Sequence, residues 1–410
     1  MSIKYESNLM DLFHDKKLVK ICAPMVRYSK LQFRSLVREY ECDLCFTPML
    51  LADSFCQSQK ARNNEFSTNL GDTPVIVQFA ANTVHDFVGA AYLVSPYCNG
   101  VDLNCGCPQR WAKTQGIGSI MLENPELISD LVRQCRNHIS KSFTISVKMR
   151  ILSDMKKTIA LCQQLVHCGV SFLTVHGRIA SQHSGGDVNV DALRLISESV
   201  SCPVVANGGV KNLDDVIKLQ EESKCKGVMV ANGLLTNPAL FSGVNVTPIE
   251  CVRKWLDICY NSTLEYDALS SNKQIPNMET PMFQERNENV TFQCFHHHLV
   301  FMLEKILPKY SRKVFNNLQT FQAVLDFLKD TLNIEPCAFP LETFVKHDRL
   351  PTNYENRTEK YFELKAEQDR KSFEYNLTYN PEESDGKLFS SKKMVADDPD
   401  TCISSLFIDD

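Results

Sequence analysis

The sharpest chemical signal in the sequence is a thiol. In Asp102-Leu103-Asn104-Cys105-Gly106-Cys107-Pro108, Cys107 sits between a glycine and a proline, directly after a short apolar run. Glycine permits a tight turn and proline fixes its φ, so the sulfur is expected on a rigid strand-end loop. Buried cysteines are common and inert, and the strand-end position is what makes this one a candidate for catalysis. Cys105-x-Cys107 or Cys42-x-x-Cys45 would supply half of a zinc site, but no second Cys/His pair stands at a zinc-like spacing, and no metal is expected. Lys148 closes the otherwise apolar run Ile145-Ser146-Val147-Lys148-Met149. A lysine there either snorkels to water or meets an anion, and the N1 and C2 carbonyl region of a reduced flavin is one such anion. Gln78, ending Val75-Ile76-Val77-Gln78, offers an amide that both donates and accepts, which suits a pyrimidine-like ring edge. His176 and Arg178 follow another apolar run, His176 as donor or acceptor and Arg178 as a cation; a lone histidine is more often a core or surface residue than a catalytic one. Two turns, Asn207-Gly208-Gly209 and Ala231-Asn232-Gly233, expose backbone N–H groups where a phosphate would bind.

Such residues converge only if the intervening elements bring strand ends together. From residue 19 to about 241 the chain alternates short apolar or β-branched runs with longer amphipathic stretches, the signature of repeated βα units. The expected strands are Val19 to Ala23, Leu44 to Pro48, Val75 to Phe79, Val101 to Asn104, Thr144 to Lys148, Phe172 to Val175, Val204 to Ala206 and Val228 to Val230. Eight strands predict a closed (β/α)8 TIM barrel, an α/β fold whose active site lies at the C-terminal strand ends and whose phosphate site follows strands seven and eight. An open doubly wound sheet would more often carry a Gly-rich turn after its first strand, and Ala23-Pro24-Met25-Val26 has none.

The expected organisation is a lead-in over 1–18, a barrel over 19–243, a small helical domain over 244–335 and a polar, disordered tail over 336–410. Helices are expected over Ile249 to Tyr260, Phe292 to Leu307 and Arg312 to Thr331, with an inserted loop at about 261–289. The run His296-His297-His298 reads as helix surface. Lys305, Lys309, Arg312 and Lys313 lie at the end of one helix and the start of the next, either as phosphate contacts or as ordinary solvated surface.

Composition sets the outer bounds. The chain has 410 residues, is 43% hydrophobic and 23% charged, and carries a net charge of −5, so any nucleic-acid binding must come from a local basic face. No apolar run of about 18 residues and no apolar leader is present. The 17 cysteines are scattered through apolar segments and read as free thiols. These features predict a soluble intracellular protein of cytoplasm or nucleus.

These residues, in this order, resemble the dihydrouridine synthase family of flavoproteins over about residues 19 to 241, and more loosely to about 333. Ala23-Pro24-Met25-Val26-Arg27-Tyr28-Ser29-Lys30 and Cys107-Pro108-Gln109-Arg110-Trp111-Ala112 are most similar to its eukaryotic type-four branch, which modifies positions 20a and 20b of the tRNA D loop. The resemblance implies FMN held by Pro24, Met25, Val26, Gln78, Lys148, His176, the Asn207-Gly208-Gly209 turn and the Ala231-Asn232 backbone. It implies NADPH or NADH as reductant, tRNA as partner and Cys107 as proton donor. Asn104, Arg178 and the four cations at 305–313 are expected on the substrate side. Gly209 stands where the family usually has Asp, and Asn232 where it usually has Arg. Two other readings stay open: a barrel flavoenzyme acting on a free pyrimidine, and a flavin-free tRNA-binding module.

Overall fold

The computed structural model describes residues 8–182, 186–264 and 290–354, together with 357–359, 361–363, 365–367 and 370. The expected insert at 261–289 and the end of the chain from 371 fall almost wholly outside these residues.

All eight expected strands form, and all pair in parallel: β1 (Val19–Cys22), β2 (Leu44–Phe46), β4 (Val75–Ala80), β5 (Gly100–Cys105), β6 (Thr144–Arg150), β7 (Phe172–His176), β8 (Val204–Asn207) and β9 (Gly227–Val230). β1 pairs with both β2 and β9, which closes the barrel. A ninth, two-residue strand, β3 (Leu50–Leu51), pairs with β4 beyond the end of β2. Between β2 and β3, Pro48 has no N–H to give to a ladder. Thr47 Oγ1 instead accepts from the Gln78 N–H at 3.2 Å, so β4 stays satisfied across the gap.

The helices start where short polar side chains can cap them. Thr83, Asn124, Asp154, Asn189 and Asn212 each accept a backbone N–H from the first turn of the helix that follows. Strand alternation then sorts the layers. In β6, Met149 faces outward and its sulfur meets Cys162 on the helix Met155–His167, whereas Ser146 faces inward and bonds to Asp102. At the bottom of the barrel Phe172 packs against Phe13 of the lead-in, ring centres 5.1 Å apart, and against Phe46. The floor of the barrel is therefore apolar around these rings, and the hydrogen-bonded row of Gln78, Asp102 and Ser146 lies above it.

Beyond the barrel, the helix Phe292–Leu303 packs between Trp255 of the helix Ile249–Asn261 and Phe33 of the helix Leu31–Arg38. The expected helix over Arg312 to Thr331 is two: Lys309–Phe315 and Phe321–Leu332, broken where Thr320 caps the second. The segment after Glu335, expected to be irregular, instead forms the helix Leu341–His347 and buries Phe344, Tyr354 and Tyr361. These aromatic anchors hold it: Tyr354 packs on Phe55 and Tyr97, and Tyr97 Oη donates to the Asn353 carbonyl at 2.7 Å. No helix among the described residues is long and apolar enough to cross a membrane.

One buried ion pair joins the first βα unit to the next. Asp72 is wholly buried and accepts from Arg34 Nη2 at 2.6 Å, from Arg34 Nε, from Arg38 Nη2 and from Thr68. Removing one partner leaves buried charge uncompensated. Asp72→Ala is expected to cost about 3–5 kcal/mol of stability, measured by urea unfolding.

Candidate active site

Buried polar side chains line up across the inner face of β4, β5 and β6. The register sets Gln78 beside Asp102 beside Ser146, and one step further along sets Asn104 beside Lys148 beside Thr174. Asp102 is fully buried and accepts from Ser146 Oγ at 2.6 Å and from Gln78 Nε2 at 2.9 Å. Gln78 Oε1 in turn accepts from Asn104 Nδ2 at 2.9 Å. Asn104 Oδ1 accepts the backbone N–H groups of Gly106 and Cys107, the latter at 3.0 Å. The Cys107 carbonyl is fixed from the other side by the Ser119 N–H at 2.9 Å. Gly118 backs this contact: at φ +73°, a Cβ there would stand 2.6 Å from the Cys107 carbonyl oxygen. A continuous hydrogen-bonded chain thus runs from the barrel interior to the thiol loop.

Burial pushes the Asp102 carboxyl up to about 6, with Ser146, Gln78 and Lys148 acting in the opposite direction. His176 moves the other way. Burial first, then the charges of Lys148, Arg150 and Arg178, push it down to about 2, so the ring is neutral. Its Nε2 lies 3.1 Å from Arg178 Nη1, a group that can only donate, so Nε2 is the acceptor and Nδ1 carries the proton. Arg178 also donates to the Gly186 carbonyl at 2.8 Å.

A cavity of about 200 Å3 opens at these strand ends, lined by Pro24, Met25, Val26, Gln78, Asn104, Cys107, Lys148, His176, Asn207, Ala231 and Asn232. A larger recess of about 670 Å3 is lined by Gly208, Gly209, Arg178 and Lys305, and Asn232 lines both. Gly208 (φ +121°) and Gly209 (φ +75°) need their residue type, since a Cβ on Gly208 would stand 2.9 Å from the His176 ring. Asn207 closes β8 by donating to the Met229 carbonyl at 3.0 Å. Lys309, Arg312 and Lys313 line neither space; they sit on the helix Lys309–Phe315, with Lys309 and Lys313 exposed.

The sequence reading left several residues of the site unassigned. Asp102 orients Gln78 from within β5. Arg150, nearly buried, donates to the Gly106 carbonyl at 3.1 Å and so braces the thiol loop from β6. The histidine run, expected on a helix surface, is mostly interior. His296 Nε2 meets the Phe315 carbonyl at 2.9 Å, and the fully buried His298 meets the Tyr28 carbonyl at 3.2 Å. Both can be buried because a neutral imidazole N–H satisfies a main-chain oxygen, and burial pushes His298 down to about 3. His297 reaches the cavity itself, its Nδ1 3.2 Å from Tyr28 Oη. No sequence signal set His297 apart from its two neighbours, since all three read alike as helix surface.

Across the described cysteines, Cys107 lines the cavity and is partly buried, while most others are buried in the core. Comparison with known proteins places the chain in a family. The family described as dihydrouridine synthase (Dus) matches residues 21–333. A mouse protein named tRNA-dihydrouridine(20a/20b) synthase (NAD(P)+)-like is 47% identical over 322 residues, covering 78% of this chain and 91% of its own length. A human protein of the same name is 44% identical over 326 residues, covering 79% and 94%. The Saccharomyces cerevisiae tRNA-dihydrouridine(20a/20b) synthase (NAD(P)+) is 36% identical over 321 residues, covering 77% and 81%. With a parallel barrel, a thiol on the loop after β5 and a family match across barrel and helices, the chain belongs to the dihydrouridine synthase family.

Proposed function

We propose that this protein reduces uridine to 5,6-dihydrouridine at positions 20a and 20b of the tRNA D loop, with FMN as its cofactor and NADPH as reductant. The observation that carries this reading is that Gln78, Cys107, Lys148 and His176, from four successive strand ends, line one cavity. Family membership and the names of its relatives support the same reaction.

The residues present fit a flavin mononucleotide. A flat pyrimidine-like edge calls for a cation and directional amides, and Lys148, Gln78 and Asn104 supply them. With Nε2 engaged by Asp102 and Oε1 by Asn104, Gln78 keeps one N–H to offer. The phosphate calls for bare backbone beside a cation, and Gly208 and Gly209 share the outer recess with Arg178. When bound and reduced by NADPH, FMN supplies the hydride that uracil C6 accepts.

The chain's own chemistry is the proton. Cys107 Sγ–H breaks as the C5–H bond forms, and the thiolate recovers a proton from solvent, so one NADPH and one proton are consumed for each uridine. A thiol can serve as such a proton donor. The Asn104 and Ser119 hydrogen bonds hold its backbone still while this happens. The target base must leave its stack to reach a barrel mouth, so tRNA shape contributes to selection. Residues 244–335 form the tRNA-binding unit, with Lys305, Lys309, Arg312 and Lys313 taking backbone phosphates.

Cys107→Ala is expected to retain flavin and its reduction by NADPH while dihydrouridine formation falls about 10²- to 10⁴-fold, read by mass spectrometry of tRNA. Normal product yield from that variant would remove the thiol from the mechanism. Lys148→Ala should weaken FMN binding roughly 10- to 100-fold, as expected for hydrogen bonds to a charged group worth about 1.5–3 kcal/mol, measured by flavin fluorescence titration. Because the Asp102 carboxyl is raised from 3.8 to about 6, it is charged at neutral pH and takes up a proton as the pH falls through that value. The folded state then binds a proton the unfolded chain does not, so this group adds stability from pH 6 down towards 4 and loses it as the pH rises. Asp102→Asn, which can still accept from Gln78 and donate to Ser146, should fold, and the inflection near pH 6 in the wild-type pH–rate profile should disappear.

A further inference from the structure

The chain has two tryptophans, and they are treated oppositely. Trp255 is completely buried in the helical core, whereas Trp111 is 41% exposed and lines the same cavity as Cys107. An indole left in water forgoes a large burial gain, so its position needs a reason. Its backbone is not loose. Trp111 lies on the short helix Arg110–Thr114, three residues past the thiol loop, and the next residue, Ala112, is fully buried against Ala80 and Ile117, with Cys107 packed on the same cluster. The Gln115 N–H and the Ile117 N–H close back onto the carbonyls of Trp111 and Ala112 at 3.1 and 3.0 Å. The ring is thus an open aromatic face on a fixed support at the cavity mouth. Val26 and Arg27, both exposed, line the same cavity, and Arg110 and Lys113 are exposed elsewhere on the short helix.

We propose that Trp111 is the stacking platform for the nucleobase adjacent to the uridine being reduced, and so helps decide which uridine enters the cavity. This rests on the reaction proposed above. The reacting pyrimidine must lie inside, at Cys107, while the solvent-facing side of Trp111 looks onto the next nucleotide. Extruding one base strips its neighbour of a stacking partner, and an indole at the mouth replaces that partner. Arg27, at the same cavity, is placed for a flanking phosphate, a contact that any sequence can make.

Trp111→Ala should raise KM for tRNA about 10- to 100-fold with a much smaller fall in kcat at saturating tRNA, and Trp111→Phe should recover most of the loss, because a phenyl face still stacks. Binding of tRNA should quench the indole fluorescence of the wild type, and in Trp111→Phe the remaining Trp255 signal should be unaffected. A tRNA carrying an abasic nucleotide beside the target uridine should show no further penalty from Trp111→Ala. A KM within twofold of wild type in Trp111→Ala, or quenching that persists in Trp111→Phe, overturns the platform; should Trp111→Ala fail to fold, the Trp111→Phe quenching decides. A wild-type protein that makes no dihydrouridine overturns the reaction itself, whereas a normal KM in an active Trp111→Ala enzyme overturns only this role.

Discussion

A carboxylate can only accept hydrogen bonds, and in this barrel that one-sidedness fixes a whole row of side chains. Because Asp102 presents acceptors alone, Gln78 must turn its NH2 towards it, leaving its carbonyl facing Asn104. Asn104 must then donate with its own NH2, and its carbonyl is left for the backbone N–H groups of Gly106 and Cys107. Amide groups that would be interchangeable in isolation have one orientation here, and the choice is made by a group that never meets the cavity. Burying that charge is costly, and the cost is offset by the hydrogen bonds from Ser146 and Gln78 and by the nearby Lys148. The thiol loop is therefore held by the barrel interior as well as by its own turn.

The helical unit completes the mouth through the same kind of contact. The loop after β1 adopts a left-handed conformation at Arg27, φ 70°, which is uncommon for a residue with a side chain. Its carbonyl accepts from Cys294 at 3.0 Å, and the carbonyl of Tyr28 is met by His298. Both partners lie on the helix Phe292–Leu303, and His297, between them in sequence, meets the Tyr28 hydroxyl at the cavity. The strained turn is thus over-determined from the second unit, and the positions of Met25 and Val26 depend on helical residues far along the chain.

Much of this was legible in the sequence because the barrel repeats a simple rule. β-Branched runs such as Val75-Ile76-Val77 and Val204-Val205 announce strands, and the polar residues that close them sit where a (β/α)8 fold collects its chemistry. Cys107, Lys148, Gln78 and the paired glycines could be found that way. Asp102 could not, since a lone acid inside Val101-Asp102-Leu103 does not reveal whether it faces a helix or the barrel axis; only the register beside Gln78 and Ser146 settles it. The histidine run misled because polarity was read as exposure, while neutral imidazoles bonded to main-chain carbonyls behave as core. The segment past Glu335 misled for the converse reason. Its mean composition is polar, and its attachment rests on a few aromatics, Phe344, Tyr354 and Tyr361, which an average hides.

The net charge of −5 gave no hint of a cationic barrel mouth, and the site shows why a mean charge is uninformative. Lys148, Arg150 and Arg178 surround His176, and burial first and their charges second hold its imidazole in the neutral form. A neutral imidazole adds no further repulsion among the cations and keeps one N–H to donate. The Arg178 guanidinium is committed on two sides, to His176 and to the Gly186 carbonyl, so its charge is held rigidly beside the glycine turn of the outer recess. Fixed cations in a concave, partly desolvated wall attract anions far more strongly than the same charges on an open surface. A concave mouth walled by Lys148, Arg150 and Arg178 thus favours anions locally in a chain whose net charge is −5.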